Sequence, residues 1–351
     1  MERRQTKLLY VGEVPVGGQM PIPVQSMNNT DTRDVKATLD QLYRLADAGC
    51  DISRLAVADQ EAVACLPEII RHSPLPLVAD VHFDYRLAIG AIEAGIHALR
   101  INPGNWSSKE GVLKVASLAK SHRIPIRVGV NAGSLKREVI DRFGGVNAES
   151  LSFSALDSAS LLQEHGFDDI CISVKASDPV LMIEANRELS AKTDFPIHLG
   201  VTEAGTAREG IIRSSVGIGA LLAEGIGDTI RVSLTADPVE EIRVGKAILK
   251  SLNLTNRGAT LISCPTCGRT KVGLMELAEK VERYLETVTA PIKVAVMGCA
   301  VNGPGEAREA DIGIAGGDGE YLLFAKGEII GKVKEEDVLP RLIEAIEKIT
   351  R

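Results

Sequence analysis

The sequence has few aromatic residues and no excess of positive charge. Phe, Trp and Tyr make up 3% of the 351 residues, and the formal net charge is -7. A protein that binds nucleic acid without sequence preference usually presents a basic surface and aromatic side chains on which bases stack. The composition therefore argues against a nucleic-acid-binding function. The same composition allows a site that is basic only locally.

The sequence also lacks long apolar runs. No stretch approaches the roughly 18 uninterrupted apolar residues that a membrane-spanning helix needs. Met1 is followed by the polar run ERRQTK and not by the apolar core of a signal peptide. These absences predict a cytoplasmic protein with no membrane partner. The 6 cysteines then do not indicate a disulfide framework, because cytosolic thiols are kept reduced.

A repeated strand–helix pattern fills most of the chain. Short β-branched runs recur eight times, and most precede a segment whose apolar residues return at helical spacing. This alternation is typical of parallel strands with crossover helices, and eight units favour a closed (β/α)8 TIM-type barrel over an open sheet. The predicted strands are 24–27, 51–57, 77–81, 98–102, 125–130, 169–174, 196–201 and 229–234, and helical patterns lie at 35–49, 85–95, 179–193 and 208–225.

The pattern changes at the polar segment 253–259. We predict a substrate-binding barrel domain at residues 1–255 and a small α+β domain at residues 256–351. In the second domain, apolar periodicity predicts helices at 273–287 and 336–349, strands at 292–297 and 311–315, and a hairpin of strands at 321–326 and 329–333.

Three of the six cysteines lie in this second domain: Cys264 and Cys267 form a CPTC pair, and Cys299 follows a predicted strand. A closed zinc site usually needs a fourth cysteine or a histidine, and all six histidines precede the domain. A redox dithiol would not require Cys299. Three thiolates that leave one iron open fit an iron–sulfur cluster better, while zinc and a redox or structural thiol pair remain alternatives. The cysteines expected to be structural are Cys50, Cys65 and Cys171.

The loop after Cys299 carries a candidate fourth ligand. Its Gly-Pro-Gly run at 303–305 permits a sharp turn that can return Glu306 toward the Cys299 sulfur. A carboxylate there can bind iron or deliver a proton. The alternative is an ordinary solvated acid in a loop.

Polar residues cluster at the predicted carboxyl ends of the barrel strands, where the active sites of TIM barrels form. Five are cations from five different strands, in a chain of net charge -7. Burial of so many like charges is costly without an anion, and arginine suits bidentate phosphate contacts, so we expect a diphosphate or bisphosphate ligand. Alternatively, each arginine forms an ion pair with a carboxylate inside the barrel. The set is Ser26, Asn28, Arg54, Asp80, His82, Arg100, Asn102, Arg127, Asn131, Ser173, Lys175, Thr202, Glu203, Arg231 and Ser233.

Eight segments resemble motifs of the bacterial two-domain (E)-4-hydroxy-3-methylbut-2-enyl diphosphate synthases of the methylerythritol phosphate route to isoprenoids. The resemblance extends over essentially the whole chain, and the ordered set is more specific than any one segment. The segments are 24–30 (VQSMNNT), 79–84 (ADVHFD), 99–105 (LRINPGN), 127–131 (RVGVN), 201–205 (VTEAG), 231–235 (RVSLT), 263–270 (SCPTCGRT) and 298–306 (GCAVNGPGE).

The resemblance implies an oxidoreductase that opens and dehydrates 2-C-methyl-D-erythritol 2,4-cyclodiphosphate by two-electron reduction. It implies a [4Fe-4S] cluster held by Cys264, Cys267, Cys299 and, in the resting state, Glu306, which would also be the catalytic proton donor. Asn302 and the polar residues of the barrel mouth would bind the substrate. Flavodoxin or ferredoxin would supply electrons. The protein would be a homodimer in which the cluster domain of one subunit closes over the barrel mouth of the other.

Two other enzyme classes fit parts of the sequence. A dihydropteroate synthase-like barrel also binds a diphosphate ester at a basic mouth, and the second domain would then be a zinc-stabilised appendage. A radical enzyme that uses S-adenosylmethionine fits less well, because the CxxxCxxC signature is absent. The iron and zinc content of the purified protein separates the first alternative from a cluster enzyme.

Overall fold

The computed structural model describes residues 2–102, 109–256, 258–300, 305 and 307–350. It contains two compact units, Met1–Leu254 and Thr255–Arg351. Each unit has its own hydrophobic core. Among the described helices, none combines the length and the apolar character that would let it cross a membrane.

Unit 1 begins with an antiparallel hairpin and continues with eight strands that alternate with helices. The hairpin strands are β1 (Leu8–Val11) and β2 (Val14–Gly17), and the next eight are β3 (Gln25–Met27), β4 (Ile52–Ala56), β5 (Leu77–Asp80), β6 (Ala98–Ile101), β7 (Ile126–Asn131), β8 (Ile170–Lys175), β9 (His198–Leu199) and β10 (Thr229–Ile230). The described helices are α1 (Val35–Asp47), α2 (Gln60–His72), α3 (Tyr85–Glu93), α4 (Lys109–His122), α5 (Arg137–Phe143), α6 (Ala148–Gln163), α7 (Pro179–Ser190), α8 (Ala207–Ala223) and α9 (Pro238–Ser251).

The eight strands after the hairpin form a closed ring. Strands β3 to β8 pair in order as one parallel sheet, and β9 and β10 form a parallel pair. A bridge between Ile172 and Ile197 joins this pair to β8, and a bridge between Val24 and Ile230 joins it to β3. The predicted TIM-type barrel is therefore confirmed.

Strands β9 and β10 are shorter than predicted, with only two residues each. After β9 the chain turns into a loop in which Glu203 and Gly205 have positive φ angles of 52° and 107°. This backbone conformation is incompatible with a continuing strand. The predicted strand ends at 200–201 and 231–234 are not strand in the structure and belong to the loops at the barrel mouth.

Aspartates mark the starts of five barrel helices. Each side chain accepts a hydrogen bond from a backbone N–H of the first helical turn, which has no partner inside the helix. The capping residues are Asp34, Asp59, Asp84, Asp178 and Asp237. These caps explain why the predicted starts of helices α1, α3 and α7 agree with the structure.

The two faces of the barrel strands differ in polarity. Outward-facing residues such as Leu55, Leu99 and Ile172 are buried in the main apolar core. Residues at the alternate positions point into the barrel, since side chains alternate along a strand. Toward the carboxyl ends these inward positions are polar, and they form the candidate site.

The hairpin closes the amino end of the barrel. Val11 and Val16 form a separate apolar cluster with Ile52, Val78 and Ala98, which lie near the starts of β4, β5 and β6. The sequence does not predict this hairpin, because two four-residue strands carry too little alternation to stand out. With the amino end filled, the carboxyl end is the side from which a ligand can reach the polar interior.

Unit 2 is a mixed sheet with helices packed on it. Its strands are β11 (Thr260–Ser263), β12 (Lys293–Met297), β13 (Ile312–Gly316), β14 (Glu320–Ala325) and β15 (Glu328–Lys334), and its described helices are α10 (Leu274–Leu285) and α11 (Val338–Thr350). The strands lie in sequence order, parallel from β11 to β13 and antiparallel from β13 to β15. The predicted α+β architecture is confirmed. Strand β11, which leads into the cysteine pair, is not among the strands predicted from the sequence.

Candidate active site

The barrel interior brings five cationic side chains together. They come from five strands or the residues just after them: Arg54, Arg100, Arg127, Lys175 and Arg231. Arg100, Arg127 and Lys175 are only 8%, 6% and 8% exposed. Burial lowers the pKa of Lys175 well below its ordinary value, and the charges of all four arginines lower it further. The five cations therefore repel one another inside one pocket.

Asp80 is the carboxylate at the centre of this group. Its Oδ2 lies 3.5 Å from Arg54 Nε, and its Oδ1 lies 3.1 Å from Arg100 Nη1 and 3.5 Å from His82 Nε2. Burial acts to raise the pKa of Asp80, but Arg54, the hydrogen bond from His82 and Arg100 outweigh it and hold the pKa far below its ordinary value. Asp80 is thus an internal ion-pair partner of Arg54 and Arg100.

Glu241 on α9 is the second buried carboxylate near the mouth. Its Oε2 lies 3.5 Å from Arg231 Nε and accepts a hydrogen bond from Ser26 Oγ at 3.2 Å. Its Oε1 accepts a hydrogen bond from Leu234 N at 3.0 Å. Ser26 therefore points to α9 and not to the barrel mouth, which corrects the expectation for that residue.

The ion pairs leave the pocket positive. Arg54 and Arg100 share Asp80, and Arg231 pairs with Glu241. In the described part of the chain, Arg127 and Lys175 form no ion pair. Five basic side chains against two carboxylates leave an excess of three basic groups, a formal charge of +3 when all five are protonated. The alternative in which every arginine forms an ion pair with a carboxylate inside the barrel is therefore wrong for Arg127.

Two glycines on the inner wall make room for these cations. A Cβ atom at Gly129 would lie 2.6 Å from Arg100 Nε, and one at Gly200 would lie 2.8 Å from Lys175 Nζ. Real Cβ atoms do not approach so closely, so any other residue would displace the charged group. The glycines thus contribute to the site through the space that they leave.

The other predicted residues lie at the same end of the barrel. Asn102 and Ser173 are buried, Asn131, Thr202 and Ser233 are partly buried, and His82 and Glu203 are exposed. Asn28 has a structural role instead. It accepts a hydrogen bond from Ser53 Oγ at 2.7 Å and donates one to Thr38 O at 3.2 Å.

Three interior residues were not predicted from the sequence. Gln25 and His198 each accept a hydrogen bond from Arg127 Nη1, at 2.6 and 3.2 Å. Met27 Sδ lies 2.9 Å from Arg54 Nη2. Gln25 and Met27 flank Ser26. The period-two alternation of β3 could have identified them, but the inward-facing positions predicted from the sequence are shifted by one residue.

Two of the three cysteines of unit 2 follow neighbouring parallel strands. Cys264 comes after β11 and Cys299 shortly after β12, and Ser263 pairs with Val296 in the ladder between them. Gly298 N donates a hydrogen bond to Cys264 Sγ at 3.2 Å. The ends of β11 and β12 are therefore held together at the level of the cysteines.

Cys267 lies on the turn after Cys264. Thr270 Oγ1 accepts a hydrogen bond from Cys267 N at 3.1 Å, and Thr270 N donates one to Cys267 O at 3.0 Å. A hydrogen bond from the Arg269 backbone lowers the pKa of the exposed Cys267 thiol. Within the described ranges, no three His, Cys, Asp or Glu side chains form a ready metal-binding group. The expected ligand Glu306 and the expected substrate-binding residue Asn302 lie outside the described residues.

The remaining cysteines fit the structural role expected for them. Cys50 and Cys171 are buried, and burial raises the pKa of each thiol to about 12. Cys171 is on the inner wall of the barrel, where the positive charge of Arg127 opposes this rise. Cys65 is partly buried on α2.

A closed barrel with a cationic mouth, together with a separate cysteine-bearing domain, defines a two-domain TIM-barrel protein. Solved structures support the barrel fold. A type I 3-dehydroquinate dehydratase from Clostridium difficile is 14% identical, with a TM-score of 0.52 over 70% of this chain and 99% of that chain. The Yersinia pestis dihydropteroate synthase is 12% identical, with a TM-score of 0.50 over 70% of this chain and 98% of that chain.

Sequence relatives cover both domains. The family models described as the GcpE TIM-barrel domain and the GcpE protein C-terminal domain match residues 6–246 and 260–348. Proteins named 4-hydroxy-3-methylbut-2-en-1-yl diphosphate synthase (flavodoxin) are 55% identical in Ruminiclostridium cellulolyticum, over 99% of both chains, and 56% identical in Clostridium perfringens, over 99% of this chain and 100% of that one. The chain belongs to the GcpE family.

Proposed function

We propose that this protein is a 4-hydroxy-3-methylbut-2-enyl diphosphate synthase that reduces 2-C-methyl-D-erythritol 2,4-cyclodiphosphate to (E)-4-hydroxy-3-methylbut-2-enyl diphosphate. The observation that carries the proposal is the pocket of formal charge +3 in a protein of net charge -7. Full-length relatives at 55% identity carry the name of this activity. The reaction belongs to the methylerythritol phosphate pathway of isoprenoid biosynthesis.

The diphosphate of the substrate supplies the negative charge that the pocket lacks. Arg127 and Lys175 are the cations with no ion-pair partner among the described residues, and they are the first candidates to contact phosphate oxygens. Arg127 offers a planar fork of donors and Lys175 a compact charge. Arg54 and Arg100, held by Asp80, would complete the electrostatic match. Charge neutralisation in a buried pocket favours binding more than the same contacts would at the surface.

The remaining polar residues at the mouth would orient the substrate. Ser173, Asn102 and Asn131 can donate and accept hydrogen bonds, and Thr202, Glu203 and Ser233 lie on the loops after β9 and β10. Glu203 has a φ of 52°, a conformation that non-glycine residues adopt rarely and that often marks functional loops. We assign this group to the carbon skeleton and its hydroxyl groups.

Cys264, Cys267 and Cys299, with Glu306 in the resting state, would hold a [4Fe-4S] cluster. The thiolate donors fit such a cluster, and the hydrogen bond from Gly298 N to Cys264 Sγ at 3.2 Å is of the kind that tunes the potential of cluster sulfurs. When bound, the cluster supplies single electrons and one iron site without a thiolate ligand. Glu306 would deliver the proton to the departing hydroxyl group.

The electron donor would be flavodoxin or ferredoxin, and the relatives' printed name specifies flavodoxin. We further propose a homodimer, in which the cluster domain of one subunit closes over the barrel mouth of the other. A cytoplasmic location fits thiolate ligands that must stay reduced.

The test is anaerobic turnover of the cyclic diphosphate with dithionite and a viologen mediator, using Arg127→Met and Lys175→Met. Each should raise KM about tenfold or more, because each removes a cation from the buried pocket. Lys192→Met is the matched control. Lys192 is exposed and forms an ion pair with Glu188 of α7, so the KM of this variant should be unchanged. Wild-type protein with a complete cluster and no turnover would contradict the proposal.

A further inference from the structure

His198 lies on the inner wall of the barrel, at the start of β9. The residue is 1% exposed, and Nδ1 lies 3.2 Å from Arg127 Nη1. A guanidinium group has only donors, so Nδ1 must be the acceptor. The imidazole hydrogen of the neutral ring is then on Nε2.

The surroundings keep this imidazole neutral. Burial lowers the pKa of His198 well below its ordinary value, and the charges of Arg127, Lys175, Arg54 and Arg231 act in the same direction. A protonated ring could no longer accept a hydrogen bond at Nδ1. The contact with Arg127 is therefore stable wherever the barrel is folded at neutral pH.

His198 and Gln25 together occupy one end of the Arg127 guanidinium. Nη1 carries two hydrogens, and its two acceptors are Gln25 Oε1 at 2.6 Å and His198 Nδ1 at 3.2 Å. These acceptors belong to β3 and β9, far apart in the sequence but both on the rigid barrel wall. Among the described residues, Nη2 and Nε have no such partner. The guanidinium is thus fixed at one end, and its other donors are left for a ligand.

The other nitrogen of His198 indicates that this contact has a cost. Nε2 is buried and has no hydrogen-bond partner among the described residues. A buried donor without a partner costs about 1–3 kcal/mol, and an apolar residue of similar size would avoid that cost. The acceptor at Nδ1 is the contribution that an apolar residue could not make.

We propose that His198 is a positioning residue that, with Gln25, holds the Arg127 guanidinium ready for the diphosphate. This rests on the proposed function, because it takes Arg127 as a diphosphate ligand. An arginine side chain that is ordered in advance loses less conformational freedom on binding. The effect of His198 should therefore appear in anion affinity and not in the chemical step.

The experiment uses full-length protein with its cluster reconstituted, and inorganic pyrophosphate as the binding probe in calorimetry. His198→Leu should weaken pyrophosphate binding about tenfold, since hydrogen bonds to charged groups contribute about 1.5–3 kcal/mol. His198→Asn, whose amide oxygen can replace Nδ1 as acceptor, should bind within about threefold of wild type. In turnover, KM for the cyclic diphosphate should follow the same order while kcat stays within about twofold.

Two further variants make the result decisive. Asn186→Leu removes a buried amide that bonds Val174 O and Met182 O; it should lower the thermal midpoint and leave pyrophosphate affinity unchanged. Arg127→Met should weaken pyrophosphate binding as much as His198→Leu or more. If His198→Leu does not fold, His198→Met replaces it with a flexible side chain of similar size.

The outcomes separate this inference from the proposed function. Wild-type affinity in His198→Leu or His198→Met, with weak binding in Arg127→Met, overturns the role of His198 and leaves the proposed function intact. If His198→Asn and His198→Leu lose the same pyrophosphate affinity and a matching amount of thermal stability, His198 has only a structural role. That result also overturns the inference. Wild-type affinity in Arg127→Met overturns Arg127 as a diphosphate ligand and with it the role of His198, whereas the proposed function fails only if cluster-loaded wild-type protein does not turn over the cyclic diphosphate.

Discussion

The Asp80 carboxylate lies between two arginines of neighbouring strands, with Oδ1 3.1 Å from Arg100 Nη1 and Oδ2 3.5 Å from Arg54 Nε. Register explains this arrangement, because β5 pairs with β4 on one side and with β6 on the other. One carboxylate thus orders two cations at the mouth and leaves the pocket positive.

Asp80→Asn should lower the free energy of unfolding at pH 7 by about 3 kcal/mol, because removal of one partner leaves buried charges uncompensated. The folded-state pKa of Asp80 is depressed, so its contribution is present above the unfolded-state value of about 3.9 and is lost as pH falls through lower values. Urea unfolding from pH 7 to pH 3 should therefore show the difference between wild type and variant shrinking below about pH 4. A constant difference over this range would contradict the ion-pair account.

Gly129→Ala tests the space left for Arg100. Its Cβ would lie 2.6 Å from Arg100 Nε, so the guanidinium must move away from Asp80, and KM for the cyclic diphosphate should rise about tenfold. Gly219→Ala on α8 is the control, since its Cβ meets nothing within 4 Å. It should leave KM unchanged and stabilise the protein by about 0.5–1 kcal/mol. An unchanged KM in both variants would show that substrate binding does not depend on this position of the Arg100 guanidinium.

The hairpin at the amino end of the barrel should contribute to stability through burial. Val16 is 2% exposed in the apolar cluster with Ile52 and Val78, and Val16→Ala should cost about 2 kcal/mol from lost apolar contact and the cavity left behind. Leu8 in the same hairpin is 43% exposed, so Leu8→Ala should cost less than about 0.5 kcal/mol. Denaturant unfolding measures both, and equal costs would contradict the role of the hairpin as a plug.

The cysteines of the two units should respond differently to serine substitution. Cys264→Ser, Cys267→Ser and Cys299→Ser should each lose most of the iron and sulfide after anaerobic reconstitution, because each removes a thiolate ligand. Cys50→Ser, in the barrel core, is the control and should keep its iron. Full iron content in any of the three unit 2 variants would remove that cysteine from the proposed ligand set.

The barrel could be predicted from the sequence because its signals are local. Helices such as α1 and α7 begin directly after an aspartate cap, at Asp34 and Asp178, and apolar runs of four to six residues mark most of the strands. The convergence of the five cations also followed from the fold, since the carboxyl ends of parallel strands meet at one mouth.

What the sequence did not reveal depends on contacts across the barrel. Gln25 and His198 meet Arg127 over separations of 102 and 71 residues, and neither has a charge that would mark it as part of a site. The sequence predicts Ser26 at the mouth in place of Gln25 and Met27, because the phase of a three-residue strand is weakly determined by its own sequence. The pairing of Arg231 with Glu241 likewise requires the position of α9.

The most direct test of the account is anaerobic purification followed by turnover of 2-C-methyl-D-erythritol 2,4-cyclodiphosphate with a chemical reductant. The account predicts a brown protein with about four iron atoms per chain that forms (E)-4-hydroxy-3-methylbut-2-enyl diphosphate, with a raised KM in Lys175→Met. A colourless zinc protein that leaves the cyclic diphosphate unchanged would contradict it.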